Sequence, residues 1–226
     1  MKHRVDFLII LLSGIFVCFQ SFAQPVDHHA RFEGHLNRFI STKIKYPIDL
    51  AQQNIDGLTV ISFNISDTGE LDSVIVDSSP HQKLTNMALA ALAETVGKWT
   101  PAMLNDEPQA ERYKIVVNYS VQSKMPPVNQ AKVQFEKAKN RYEKGKYEKS
   151  LKALDRAIDM NPYYARFYQF RSQVNQALGN GKEAEQDVLK GEQTENKVLA
   201  VCDVFMVGVT TTRVVSTKVV EKRRIP

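Results

Sequence analysis

Beyond residue 23 the chain carries four imidazoles, His28, His29, His35 and His81, and one thiol, Cys202. Histidine can bind a metal or move protons near neutral pH. A zinc site, however, needs three or four converging ligands, and three of these histidines crowd a short stretch without clear periodicity. No metal site is expected. Asp67 and Asp72 bracket Gly69 and read as turn residues rather than as an acid–base pair. The nucleophile elbow, the phosphate-binding P-loop and the dinucleotide fingerprint are all missing from the sequence. Cys202 lies among Val201, Val204 and Phe205, surroundings that suit a buried thiol better than a reactive one. These observations argue against an enzyme, and no cofactor or small-molecule substrate is expected.

Residues 1–23 read as a signal peptide: Lys2, His3 and Arg4 precede an apolar run from Phe7 to Phe19, and Ser21-Phe22-Ala23 supplies small residues for cleavage. The run is 13 residues long, short of the roughly 20 that a membrane span requires. Cleavage before Gln24 and export of the chain are expected. An uncleaved segment anchoring the chain in the inner membrane, and so associating it with the membrane, is the alternative. After cleavage 28 basic and 24 acidic side chains remain, interspersed along the sequence. A nucleic-acid partner needs a clustered basic face and is not expected.

The next elements are strand-like. In Thr59-Val60-Ile61-Ser62-Phe63-Asn64-Ile65 the residues Thr59, Ile61, Phe63 and Ile65 share one face, and Tyr113, Ile115, Val117, Tyr119 and Val121 repeat the device. Asp67-Thr68-Gly69 turns the chain into a second strand, Leu71 to Val76. Between Asp77 and Lys98, Leu84, Ala88, Ala91, Leu92 and Thr95 recur at spacings of three and four, which makes one stripe of a helix. A three-stranded antiparallel sheet covered by that helix would bury both apolar faces. It would also leave a free edge, open to an added strand. Trp99, the single tryptophan, reads first as a core residue.

The segment 46–122 resembles the C-terminal domain of the TonB family. The resemblance rests on Tyr46-Pro47, Gly57, Asp67 with Gly69, Ser78-Ser79, and Trp99 with Pro101-Ala102. Asp106 departs from the pattern, which usually has Gly after Asn105. The resemblance implies a periplasmic domain that docks on outer-membrane receptors through its last strand and the Tyr-Pro segment. Tyr46, Pro47, Ile115, Val117 and Tyr119 are the partner-binding residues it carries over.

Ser123 to Pro127 reads as a linker, because two adjacent prolines continue neither strand nor helix. Residues 24–45 read as a lead-in, with a short helix possible between Arg31 and Ile44. Residues 128–193 turn helical with an internal period of 34: Ala131, Gly145, Ser150 and Asn161-Pro162 are followed by Ala165, Gly179, Ala184 and Glu195-Asn196. That period marks tetratricopeptide repeats, and Tyr142, Gly145, Tyr147, Leu151, Leu154, Ala157, Ile158 and Pro162 resemble the family's pattern. Gly191, where the pattern wants Ala, predicts that the final helix frays earlier or packs less well. The inner groove of such repeats would be lined by Lys132, Phe135, Lys139 and Tyr142, and by Arg166, Gln169, Gln173 and Gln176. It is suited to an acidic peptide. The tail, 194–226, has no assigned structure; a strand pair, a capping element over the repeats and a flexible segment are all compatible with its β-branched composition.

The expected fold class is therefore α+β, a small TonB-like domain followed by an all-α helix-pair domain. The expected function is a periplasmic protein-binding adaptor, gripping an outer-membrane receptor or another envelope protein by strand addition. Energy transduction for outer-membrane transport and a purely structural scaffold are the alternatives. From Gln20 to Lys45 there are 26 residues, which reach roughly 90 Å when fully extended. A Pro-rich spacer of the kind a transducer uses is not among them, which favours the adaptor.

Overall fold

The computed structural model describes residues 28–122 and 129–207. The leader, the 123–127 linker and the basic end of the tail lie outside the described residues. The elements run β1 (Arg31–Phe32), α1 (Leu36–Lys43), α2 (Ile48–Gln52), β2 (Gly57–Ile65), β3 (Leu71–Ser78), α3 (Gln82–Ala93), β4 (Trp99–Thr100), β5 (Ala102–Leu104), β6 (Glu107–Gln109) and β7 (Glu111–Gln122). Four helices follow, α4 (Gln130–Glu143), α5 (Tyr147–Met160), α6 (Ala165–Leu178) and α7 (Gly181–Lys197), and then β8 (Val198–Val207).

The alternating apolar strands form as their period requires. β2 pairs antiparallel with β7 from Gly57↔Tyr119 to Ile65↔Glu111 without a register shift. Ile61, Phe63, Ile65, Tyr113, Ile115, Val117 and Tyr119 all point into one core. Leu84, Ala88, Ala91 and Leu92 of α3 cover that face together with Leu36 and Ile40 of α1. Thr95 lies just past α3, where its hydroxyl donates to the Leu92 carbonyl and accepts from the Trp99 indole N–H at 3.0 Å. This gives the one polar atom of the buried tryptophan a partner. The β2–β3 turn depends on Gly69, at φ +81, where a Cβ would stand 2.6 Å from the Trp99 carbonyl oxygen.

The principal sheet has four strands, in the order β3-β2-β7-β8, not the three expected. The extra strand comes from the tail: β8 lies parallel to β7, from Lys114↔Val198 to Gln122↔Val207. Parallel neighbours cannot be joined by a hairpin and need a long crossover. Here the whole 130–197 helical unit is that crossover, with α7 running straight into β8.

Within the unit α4 packs on α5, α5 on α6 and α6 on α7. Ala138, Ala153 and Ala157 are fully buried, and the small side chains let α4 and α5 approach until the Ser150 hydroxyl donates to the Ala138 carbonyl at 2.7 Å. α7 does not fray early; it continues to Lys197. Gly191 is buried where a Cβ would come within 3.2 Å of Gln169, so the missing methyl accommodates α6 instead of weakening α7. Arg171 on α6 forks onto Asp187 of α7 (2.7–3.2 Å) and reaches Asp155 of α5 at 2.9 Å. Asn175 gives Asp187 a further donor at 3.0 Å. Asp187 is only 4 % exposed, and a buried carboxylate stripped of its cation is destabilising. Arg171→Ala should therefore cost about 3 kcal/mol, read as a lower midpoint in urea unfolding. Arg156→Ala, at an exposed position on α5, should stay within about 0.5 kcal/mol of the parent.

Candidate protein-binding surfaces

The residues expected to receive a partner strand lie inside the protein. Ile115, Val117 and Tyr119 have no exposed surface, and β8 occupies the β7 edge they were expected to offer. The Tyr119 hydroxyl donates to the Leu84 carbonyl at 3.0 Å, and burial pushes its pKa above the ordinary tyrosine range. Tyr46 stacks edge-on against Tyr119 at 5.8 Å and donates to the Ile55 carbonyl. Burial and the nearby Asp56 charge push its pKa up to about 12. Pro47 is the N-cap residue of α2. A sheet margin open along β7 is thus corrected to a margin sealed by the chain's own tail. The period-2 pattern marked β7 as a strand but carried no information on how many neighbours it has.

The expected groove residues separate into three groups. Phe135 packs against Phe167 (5.1 Å) and Phe170 (5.6 Å), and Tyr142 against Tyr147 and Phe170; these rings join α4 to α6 as core. Lys132 and Gln169 are engaged internally, Lys132 with Asp203 at 2.8 Å and Gln169 with Glu195 at 2.7 Å. Lys139 pairs with Glu136 on its own helix, while Arg166 and Gln173 are exposed.

Two carboxylates that sequence reasoning did not single out as sites join the helical unit to the sheet. Asp203 on β8 accepts from Asn118 Nδ2 (3.0 Å), Asn129 Nδ2 (2.6 Å), Lys132 Nζ (2.8 Å) and the Tyr164 hydroxyl (3.3 Å). Burial alone would lower the Lys132 pKa, but its bond to Asp203 holds it above the usual lysine value. Asp203 was legible in the sequence only as a lone charge in an apolar run, with nothing to indicate its partners. At the other end of the unit, Glu111 accepts from Lys197, Tyr113 and His29. Burial works to raise the Glu111 pKa, yet these three donors hold it below the ordinary glutamate range.

The histidines have scattered structural positions. His81 caps α3 by accepting from the Lys83 amide, His35 precedes α1, and His28 bridges to Met103. Among the described residues no group of three or more His, Cys, Asp or Glu is placed to hold a metal ion. Nor is any helix among them long and apolar enough to cross a membrane.

The outer side of β8 is guarded by α1. Asn37 accepts from the Val201 amide at 2.9 Å through its side chain, and its carbonyl accepts from the Cys202 thiol at 3.4 Å. The opposite margin of the sheet is β3, exposed from Asp72 through Ser78, with Val74, Ile75 and Val76 at 40 %, 52 % and 38 %. Its pairing with β2 is interrupted by two register shifts.

Cys202 reports on the closure. It is 2 % exposed, and burial together with Asp203 pushes its thiol pKa up to about 12. A disulfide reagent at pH 8 should leave it unlabelled in the native protein and label it stoichiometrically in denaturant; rapid native labelling would mean that β8 leaves the sheet. Glu111 reports on the weld to α7. Because its folded pKa is depressed, its contribution is present above the ordinary value of 4.5 and is lost as pH falls through the folded value. Glu111→Gln should thus lose less melting temperature than the parent between pH 6 and pH 3, measured by circular dichroism.

Part of the chain resembles known proteins. Residues 42–121 match the family model for the Gram-negative bacterial TonB protein C-terminal. A solution structure of the Helicobacter pylori TonB C-terminal domain is similar at 22 % identity, covering 40 % of this chain and 80 % of that one, with a TM-score of 0.32. No curated protein matches the chain. The matched segment spans the core from the end of α1 to the end of β7 and stops before the helical unit. Over residues 42–121, this chain is similar to the TonB C-terminal domain family.

Proposed function

We propose that this protein is a protein-binding adaptor of the bacterial envelope, working in the periplasm and taking an extended segment of an outer-membrane receptor or other envelope protein. The observation that carries this reading is the TonB C-terminal match over 42–121, on a sheet whose β3 margin is exposed. With β7 sealed, the strand acceptor is β3: it ends the sheet, and an edge of exposed Val and Ile with unpaired backbone groups is a template for another strand. Main-chain hydrogen bonds would supply affinity there, and the alternate side chains specificity.

The helical unit serves as a second protein-binding surface. α4 and α6 begin 35 residues apart and α5 and α7 begin 34 apart, which supports reading them as two tetratricopeptide repeats. Two repeats fall short of the three usually needed for stability, and the sheet, bonded at both ends of the unit, takes the place of the missing neighbour.

A charge introduced at the middle of an edge strand blocks pairing without disturbing a core. Ile75→Lys should abolish recovery of the partner from cross-linked envelope extract while leaving stability within about 0.5 kcal/mol of the parent. Undiminished recovery with Ile75→Lys would dismiss strand addition at β3. Failure of the parent to recover any outer-membrane or envelope protein would dismiss the adaptor itself.

A further inference from the structure

We infer that the α4–α5 hairpin presents a cationic face that docks on an anionic phospholipid headgroup surface. Residues 130–160 hold nine basic and five acidic side chains, whereas residues 165–197 hold five of each. Helical spacing gathers the excess onto one side. Lys137 and Arg141 on α4 and Lys144 at its C-cap recur at intervals of four and three, and Lys149, Lys152 and Arg156 at three and four on α5. The two stripes meet at the hairpin turn, where Arg141 donates to the Lys149 carbonyl at 2.9 Å and Lys146 adds a further charge.

The acidic residues of the hairpin neutralise this side only in part: Glu148 lies four residues before Lys152 and Asp159 three after Arg156, and the cations remain in excess. Glu136 pairs with Lys139, Asp155 turns to Arg171 on α6, and Glu143, Glu148 and Asp159 form no ion pair with any of the seven cations. None of those seven has a carboxylate within ion-pair distance among the described residues.

The chemistry of the face selects its partner. Protein interfaces are depleted in lysine and depend on central aromatic or arginine anchors packed into pockets. Here lysine predominates, and the aromatic rings of the hairpin are turned inward against α6. Of the hairpin's exposed large hydrophobics, Met160 lies at the far end of α5, away from the turn. A broad set of cations without an apolar centre fits a surface of many equivalent phosphates. Attraction to such a surface adds up charge by charge and is screened by salt.

The test is co-sedimentation of the purified full chain with vesicles of phosphatidylcholine alone, or of phosphatidylcholine and phosphatidylglycerol at three to one. Binding to the anionic vesicles only is expected, and it should collapse at about 0.5 M salt, where screening acts within a few ångströms. Each cation near such a surface multiplies affinity about fivefold. The triple variant Lys149→Glu, Lys152→Glu, Arg156→Glu should therefore bind at least about a hundredfold more weakly, with an unchanged melting curve because all three positions are exposed. Equal binding by parent and variant, equal binding to both vesicle types, or no binding to either would overturn the inference. Displacement of the chain by poly-glutamate at concentrations where anionic vesicles capture none of it would assign the face to an acidic polypeptide instead, and would overturn it equally.

Discussion

The parallel ladder between β7 and β8 is the constraint on which the remaining architecture depends. A parallel neighbour must be reached by a crossover, so the tail can seal the sheet only if everything between the two strands returns to the same side. The 130–197 helices are therefore fastened to the sheet by covalent connections at both ends. In burial terms the ladder completes the core: Ala200, Cys202 and Val204 close over the face formed by Ile115, Val117 and Tyr119. Val116, on the other side of β7, is buried as well. A central strand buried on both faces is the usual condition of parallel pairing.

Polar contacts make the join specific. Asp203 collects three neutral donors and one ammonium from β7, α4 and α6, and Glu111 collects Lys197, Tyr113 and His29 from the far end of the unit. Each carboxylate is provided with enough hydrogen bonds to offset its partial removal from water. Two bonded points, one near each end of the crossover, oppose swinging of the helices about the sheet. Surfaces on the two halves are thus presented in a fixed relation.

Sealing one edge concentrates any strand-mediated binding on the other. Proteins normally blunt an open edge with charges, bulges or a covering element. β8 is covered by α1 through Asn37. β3 has interrupted pairing with β2 and the acidic Asp72 and Asp77 near its ends, but retains three adjacent exposed aliphatic residues. The hairpin cations show a parallel effect in electrostatics, since residues that are interspersed along the chain are brought onto one face by the 3.6-residue turn.

Local patterns were sufficient for each element that a short window can encode. Alternation in Thr59 to Ile65 and Tyr113 to Val121, the stripe from Leu84 to Leu92, the glycine turn at Gly69 and the helices around Gly145 and Gly179 are all properties of near neighbours. The sequence by itself also pointed to the TonB-like segment. It did not determine that Val198 to Val207 pairs beside β7, because a run of Val, Phe and Met fits a buried strand, a cap or a loose tail equally well. That choice belongs to tertiary structure: strand pairing, the four donors around Asp203 and the single charged face of α4–α5 join residues tens of positions apart, and their energies exist only once the chain has closed on itself.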